Sequence, residues 1–186
     1  MKDKITISTI KKNDLYFAVG VSNSTHKIVR ISLPKSDEKE VISAISNHYP
    51  DFTISDEYEN IAWKISEIYE GKDVDINLEM FDLRVDKSDD KLPVKSSFMK
   101  NVLLETYNIP HGKVETYKSL AKKLDSRAYR AVGTALARNP FPLIIPCHRV
   151  VKSDFFIGQY GGGAEMKKTI LKKEGVKIKG NKIVNK

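Results

Sequence analysis

The sequence predicts a two-domain α+β protein: a small antiparallel sheet with helices, then a mainly helical domain holding a helix-turn-helix and a Pro-Cys-His-Arg segment. Three observations predict it. Residues 5–33 contain period-2 runs of β-branched residues divided by polar turns. Residues 96–175 show apolar residues at helical spacing, punctuated by Gly and Pro. Charge also divides between the halves. Residues 1–95 carry 14 Lys+Arg against 18 Asp+Glu, a net of −4, whereas residues 96–186 carry 18 against 6, a net of +12. So basic a second half points to a polyanionic partner.

In the first half, "KITISTI", "LYFAVGV" and "KIVRISL" read as strands separated by "KKND" and "SNSTH". "PKSDEKEVISAISNHYP" places Val41, Ile42 and Ile45 at helical spacing behind a Pro/Ser start. In "SDEYENIAWKISEIYEGK", Ile61, Ile65 and Ile68 form one face and Gly71 marks the stop. The polar, proline-containing "DKSDDKLPVKS" (86–96) is the expected linker between domains at 1–90 and 96–186.

The second half reads as successive helices. "SSFMKNVLLETYNIP" has Phe98, Val102 and Leu103 as its apolar face, and "IPHGKV" is turn chemistry. "ETYKSLAKKLD" and "DSRAYRAVGTALARNP", joined at "LDS", form a helix-turn-helix candidate over about 116–138, its second helix starting at Asp125 or Ser126 and stopping at Asn139-Pro140. On that helix Tyr129, Val132 and Leu136 fall on one side and suit inward packing, while Arg130, Thr134, Ala137 and Arg138 fall on another. Small residues, including Ala131 and Gly133, thin the helix, which lets its backbone approach a phosphate-lined surface. "FPLIIPCHRVV" reads as extended, and "GQYGGGAEMKKTILKKEGV" as a glycine loop feeding a basic helix.

Cys147 is the single cysteine, so no internal disulfide forms, which fits a reducing, cytoplasmic setting. No run approaches the apolar length of a membrane span, and "MKDKITISTIKKNDLYFAVG" lacks the apolar stretch of a secretory signal. Four uses of the thiol compete: a small buried apolar residue, a metal ligand, a Cys–His hydrolase nucleophile, or an alkyl acceptor. Metal ligation is disfavoured, because no C-x-x-C exists and the other histidines (26, 48 and 111) are scattered. Side chains of neighbours in an extended chain point to opposite faces, so His148 reaches Cys147 only if the chain turns or a water bridges them. Such a base needs an orienting carboxylate. Spacing alone does not choose among Glu105, Glu115, Asp125, Asp154, Glu165 and Glu174.

"IPCHRVV", preceded by "YRAVGTALARNPFPLI" and followed by "GQYGGG", resembles the O6-alkylguanine-DNA alkyltransferases, as do "IPHGKV" and "KKEG" in the same order. The resemblance covers about Phe98 to Gly175; the first half matches the family's variable domain only in size and order of elements. It implies a repair protein that flips an O6-alkylguanine out of double-stranded DNA and transfers the alkyl group irreversibly to its own cysteine. One turnover, no cofactor, minor-groove binding and a monomer are expected. Residue by residue, it makes Cys147 the acceptor, His148 the base acting through water, and Glu174 its polarising carboxylate. Tyr117 donates a hydrogen bond to the departing base. Arg130 fills the gap left by the nucleotide, with Ala131, Gly133, Thr134 and Arg138 also on the DNA face. Asn139 braces the turn before the active segment. Val150, Tyr160, Gly161 and Gly162 line the pocket, and Lys167 lies near the cysteine's carbonyl.

The +12 half and the histidine are expected to favour the thiolate at neutral pH. Two departures bear on pocket shape: Gly161 stands where serine is common, and Phe155 where glycine is common. The first half lacks the cysteines of the zinc cluster found in some members. Rival functions are a cysteine-free damage binder's role on the same scaffold, a sequence-specific helix-turn-helix regulator, and a multiple-turnover hydrolase.

Overall fold

The three β-branched runs form the heart of a four-stranded sheet. In the computed structural model, which describes residues 3–83 and 96–184, these are β1 (Ile5–Lys12), β2 (Leu15–Ser22) and β3 (Ile28–Ile31). The expected linker falls outside the described residues save for Ser96. The sheet order is β3-β2-β1-β4, where β4 (Phe52–Ile54) is an edge strand running parallel to β1. The sheet is therefore mixed rather than antiparallel throughout. Three residues of β4, half-buried at most, gave no period-2 run from which to read it.

The β1–β2 register pairs Ile5 with Ser22 and Ile7 with Gly20, placing Ile5, Ile7, Ala18 and Gly20 on one face. Helix α1 (Glu38–Ser46) covers it with Val41 and Ile45. Its cap is Asp37, whose carboxylate accepts from the Lys39 N–H. Gly20 is required by this packing, since a Cβ there would lie 2.8 Å from the Ile45 side chain. Helix α2 (Glu59–Tyr69) takes the opposite face. The ring of Tyr69 meets Phe17 edge-on at 5.7 Å, and Ser8 Oγ accepts from the Tyr58 N–H at the helix entry.

Beyond the linker, α3 (Ser96–Tyr107) buries Met99, Val102 and Leu103, whereas Phe98 is only half-buried. A two-stranded parallel pair, β5 (Glu115–Thr116) with β6 (Val150–Val151), ties the entry of α4 (Tyr117–Lys123) to the strand leaving the cysteine segment. Thr116 and Ser119 cap α4 reciprocally. Helix α5 (Tyr129–Ala137) starts three or four residues later than expected: Asp125 adopts φ +49°, and Ala128 is an N-cap without a side-chain hydrogen bond. Val132 and Leu136 pack inward as expected, but Tyr129 is 51% exposed. Helix α6 (Ala164–Lys173) follows Gly163 at φ +87°, and a hairpin of β7 (Ile178–Lys179) and β8 (Lys182–Ile183) follows. Val151, Ile157, Leu171, Val176 and Ile183 form the core beneath them.

The described chain separates into two compact units, neither of them continuous. Residues 140–144 belong with the sheet unit, where Pro140 O accepts from the Ile31 N–H and Phe141 meets Phe81 edge-on at 5.0 Å. Residues 70–72 belong with the second unit, where the Glu70 carboxylate pairs with Lys173 at 3.1 Å.

Candidate active site

The extended reading of "IPCHRVV" gives way at the cysteine. Cys147–Arg149 is a 3₁₀ turn, with the Arg149 N–H donating to Pro146 O, before the chain straightens into β6. A turn removes the strict alternation of faces that would part Cys147 from His148.

Asn139 holds this turn from the end of α5. Its Nδ2 donates to Ile145 O at 2.8 Å and to Cys147 Sγ at 3.3 Å. Cys147 is half-buried. Burial pushes its thiol up, against the Asn139 hydrogen bond, the Lys167 charge and nearby backbone N–H groups, which favour the anion. Burial wins, so the resting group is the thiol, correcting the expectation of a neutral-pH thiolate.

His148 is fully buried, and its Nε2 lies 2.9 Å from Glu174 Oε1. An ionised carboxylate only accepts, so Nε2 carries the proton and Nδ1 presents a lone pair. Nδ1 is buried without a hydrogen-bond partner among the described residues. Burial lowers the His148 pKa although Glu174 pulls it upward, leaving a neutral imidazole at pH 7. Burial also pushes the Glu174 carboxyl up, but hydrogen bonds from His148 and Arg149 together outweigh it and hold the group at about 2.

Arg149 is the functional residue that sequence reasoning missed. Its Nε donates to both oxygens of Glu174, at 3.2 and 3.0 Å, and its Nη2 donates to Oε1 at 2.9 Å. Its Nη1 reaches Ile109 O at 2.6 Å. The only signal was its place in Pro-Cys-His-Arg.

Lys167 is also fully buried. Its ammonium donates to Val150 O at 2.6 Å and Gln159 O at 3.4 Å, so it sits at the carbonyl of Val150 rather than that of the cysteine. Burial lowers its pKa to about 8 against the opposing pull of Cys147. The ring of Tyr117 lies 6.0 Å from this ammonium. Burial raises the Tyr117 pKa, and the cysteine's charge adds to it, so the phenol keeps its proton as a donor. Tyr160 places its ring edge-on to His148 at 6.4 Å. Val150 is fully buried, which suits its carbonyl role better than a place on an open wall, while Gly161 is exposed and Gly162 half-buried.

Arg130 on α5 and Arg138 at its C-cap are exposed, and Ala131, Gly133 and Thr134 are half-buried. The Thr134 hydroxyl donates to Arg130 O within its own helix. The structure thus brings Cys147, His148, Glu174, Asn139, Lys167, Tyr117 and Tyr160 around one turn. Arg130, Ala131, Gly133 and Thr134 lie on α5, which ends at Ala137, two residues before Asn139. Among the described residues, no group of three or more His, Cys, Asp or Glu side chains is arranged to hold a metal ion, and no helix is long and apolar enough to cross a membrane.

The chain is similar to known proteins in sequence and in fold. The family described as 6-O-methylguanine DNA methyltransferase, DNA binding domain, matches residues 97–176. A methylated-DNA–protein-cysteine methyltransferase of Pyrobaculum aerophilum is 55% identical over 73 residues, 39% of this chain and 49% of that protein. The chain spans about half the length of the curated relatives it matches. The crystal structure of O6-methylguanine-DNA methyltransferase from Pyrococcus kodakaraensis superposes with a TM-score of 0.64 at 28% identity, over 92% of this chain and 99% of that one. Mycobacterium tuberculosis OGT in complex with DNA has a TM-score of 0.69 at 21% identity, over 91% and 92% of the two chains, a likeness of fold alone. Sequence match and superposition point the same way: residues 97–176 match the 6-O-methylguanine DNA methyltransferase DNA-binding domain, and the chain shares its fold with an O6-methylguanine-DNA methyltransferase.

Proposed function

We propose that this protein repairs O6-alkylguanine in double-stranded DNA by moving the alkyl group irreversibly to Cys147 Sγ. The observation that carries the reading is the buried His148–Glu174 pair, which leaves a proton-accepting Nδ1 on the residue next to a lone, hydrogen-bonded thiol. The Cys147 proton passes to Nδ1, directly or through a bridging water. The S–C bond then forms as the C–O6 bond breaks, and the bond's electrons stay with guanine. Tyr117, held protonated, donates a hydrogen bond to the departing base as charge develops there. Asn139 Nδ2 and the Lys167 ammonium offset the thiolate's burial at the moment it forms. A thioether resists hydrolysis, so each molecule acts once.

Access to the alkyl carbon requires the nucleotide to leave the stack, which costs a few kcal/mol. Arg130, exposed on α5, is suited to fill the gap, and the thin face around Ala131 and Gly133 suits a minor groove. Reaction needs no cofactor, and a single chain supplies every residue named.

The test pairs the wild type with Cys147→Ala on a duplex bearing one O6-methylguanine. The variant is expected to keep DNA binding and lose all demethylation. Demethylation by the variant at the wild-type rate would refute the role of Cys147.

A further inference from the structure

Neither the fold nor the transfer step employs Tyr129, the first residue of α5. Its position in the helical pattern assigned it to the core, yet it is 51% exposed. Two other exposed aromatic rings are each covered by a lysine: Trp63 has the Lys12 ammonium 5.8 Å from its centroid, and Phe156 has that of Lys182 at 5.7 Å. Tyr129 has no ring, cation or hydrogen-bond partner for its side chain among the described residues.

Its surroundings have the chemistry of a nucleic-acid contact. Arg127 and Arg130 flank it, both exposed and in no ion pair among the described residues. One turn along the same face stands Gly133, where a Cβ would meet nothing within 4 Å. A bare aromatic ring thus stands at the start of a strip of open helix surface, with guanidinium groups on both sides. A phosphate answers Arg127, the opened stack answers Arg130, and a base face, the planar apolar part of a polyanion, answers the ring.

We infer that Tyr129 is a second DNA-opening side chain, stacking on a base exposed beside the gap that Arg130 fills. The inference rests on the repair reading above and assigns Tyr129 to duplex opening, not to the transfer chemistry. An aromatic wedge next to a guanidinium stabilises the opened duplex without touching the thiol. It therefore changes reaction with duplex DNA and leaves reaction with the free damaged base alone.

The experiment compares wild type, Tyr129→Ala and Tyr129→Phe on a duplex carrying one O6-methylguanine, on the free base O6-methylguanine, and on the same duplex with 2-aminopurine beside the lesion. Tyr129→Ala is expected to lower the duplex reaction rate at limiting DNA about tenfold, the scale of one lost base–aromatic stack. Its rate with the free base should be unchanged, and Tyr129→Phe should restore the duplex rate. Wild type and Tyr129→Phe should quench 2-aminopurine on binding, and Tyr129→Ala should not. Equal loss on duplex and free base, or an unchanged duplex rate and quench, overturns the inference while leaving the repair reading intact. If wild type transfers no methyl group at all, the repair reading fails, and the quench still decides whether Tyr129 stacks on DNA.

Discussion

Glu174 shows most directly how single residues carry this site. Its carboxylate is shared between a histidine that must stay neutral and an arginine that must stay charged, and both bonds stabilise the ionised form. The folded pKa of about 2 lies below the ordinary value of 4.5. The associated stability is therefore complete above about pH 4.5 and is lost as pH falls toward 2, on the order of 3 kcal/mol over that window. Urea denaturation at pH 7 and pH 3 should show the part of this loss reached by pH 3, about 2 kcal/mol, in wild type and little of it in Glu174→Gln. The same variant should slow transfer, because Nε2 loses its anionic partner; an equal pH dependence in both proteins would contradict the assignment. At this scale the sequence was informative where a motif named the residue. Cys147 and His148 were legible, and Asn139 and Glu174 only through the resemblance. Arg149 and the carbonyl chosen by Lys167 were not, since both depend on chain segments that meet from 40 and 17 residues away.

Elements were legible wherever periodicity was long. Strands β1 to β3 and helices α1, α2 and α6 fall in the segments expected from alternation or helical spacing. Misreadings occurred where a short segment answers to its neighbours. The cysteine segment has the composition of a strand, yet the bond from the Arg149 N–H to Pro146 O closes it into a turn. Asp125, read as a cap, takes a left-handed conformation in the turn between α4 and α5, and the helix begins at Tyr129. Gly71, read as an ordinary helix stop, has a further task. At φ +82°, a Cβ there would lie 2.4 Å from the Lys173 carbonyl oxygen, beside Glu174. His111 Nε2 lies 2.9 Å from the Gly71 carbonyl oxygen and joins the two loops. Gly71→Ala meets both backbone strain and a backbone clash, and is expected to lower unfolding free energy by about 2–3 kcal/mol. Gly133→Ala, which meets open space, should cost nothing and gain about 0.5–1 kcal/mol from helix propensity. Denaturant titration of the two variants checks this contrast, and similar losses for both would contradict it.

Across the molecule, the dominant feature is the division of charge, −4 against +12, which was readable from composition. The division into units was readable only in outline. A single cut was expected near residues 90–96, but residues 140–144 and 70–72 each join the unit that the rest of their half does not form. Local pattern cannot show this, because the contacts of Phe141 with Phe81 and of Pro140 with Ile31 span 60 residues or more. On the repair reading, the basic half makes phosphate attraction the main source of DNA affinity. The logarithm of the DNA-binding constant should therefore fall linearly with the logarithm of salt concentration, by roughly 0.9 for each phosphate contacted. Arg138→Ala should reduce that slope by about one contact. Affinity indifferent to salt, measured by anisotropy with undamaged duplex, would contradict a phosphate-based interface.

The central claim, that the protein is consumed by its own reaction at one sulfur, is tested most directly by weighing it. After incubation with an excess of duplex containing O6-methylguanine, the digested protein should yield the Cys147 peptide heavier by one methyl group, with restored guanine formed in equal number to protein molecules. An unmodified Cys147 peptide, or more guanines restored than protein molecules present, would contradict the claim.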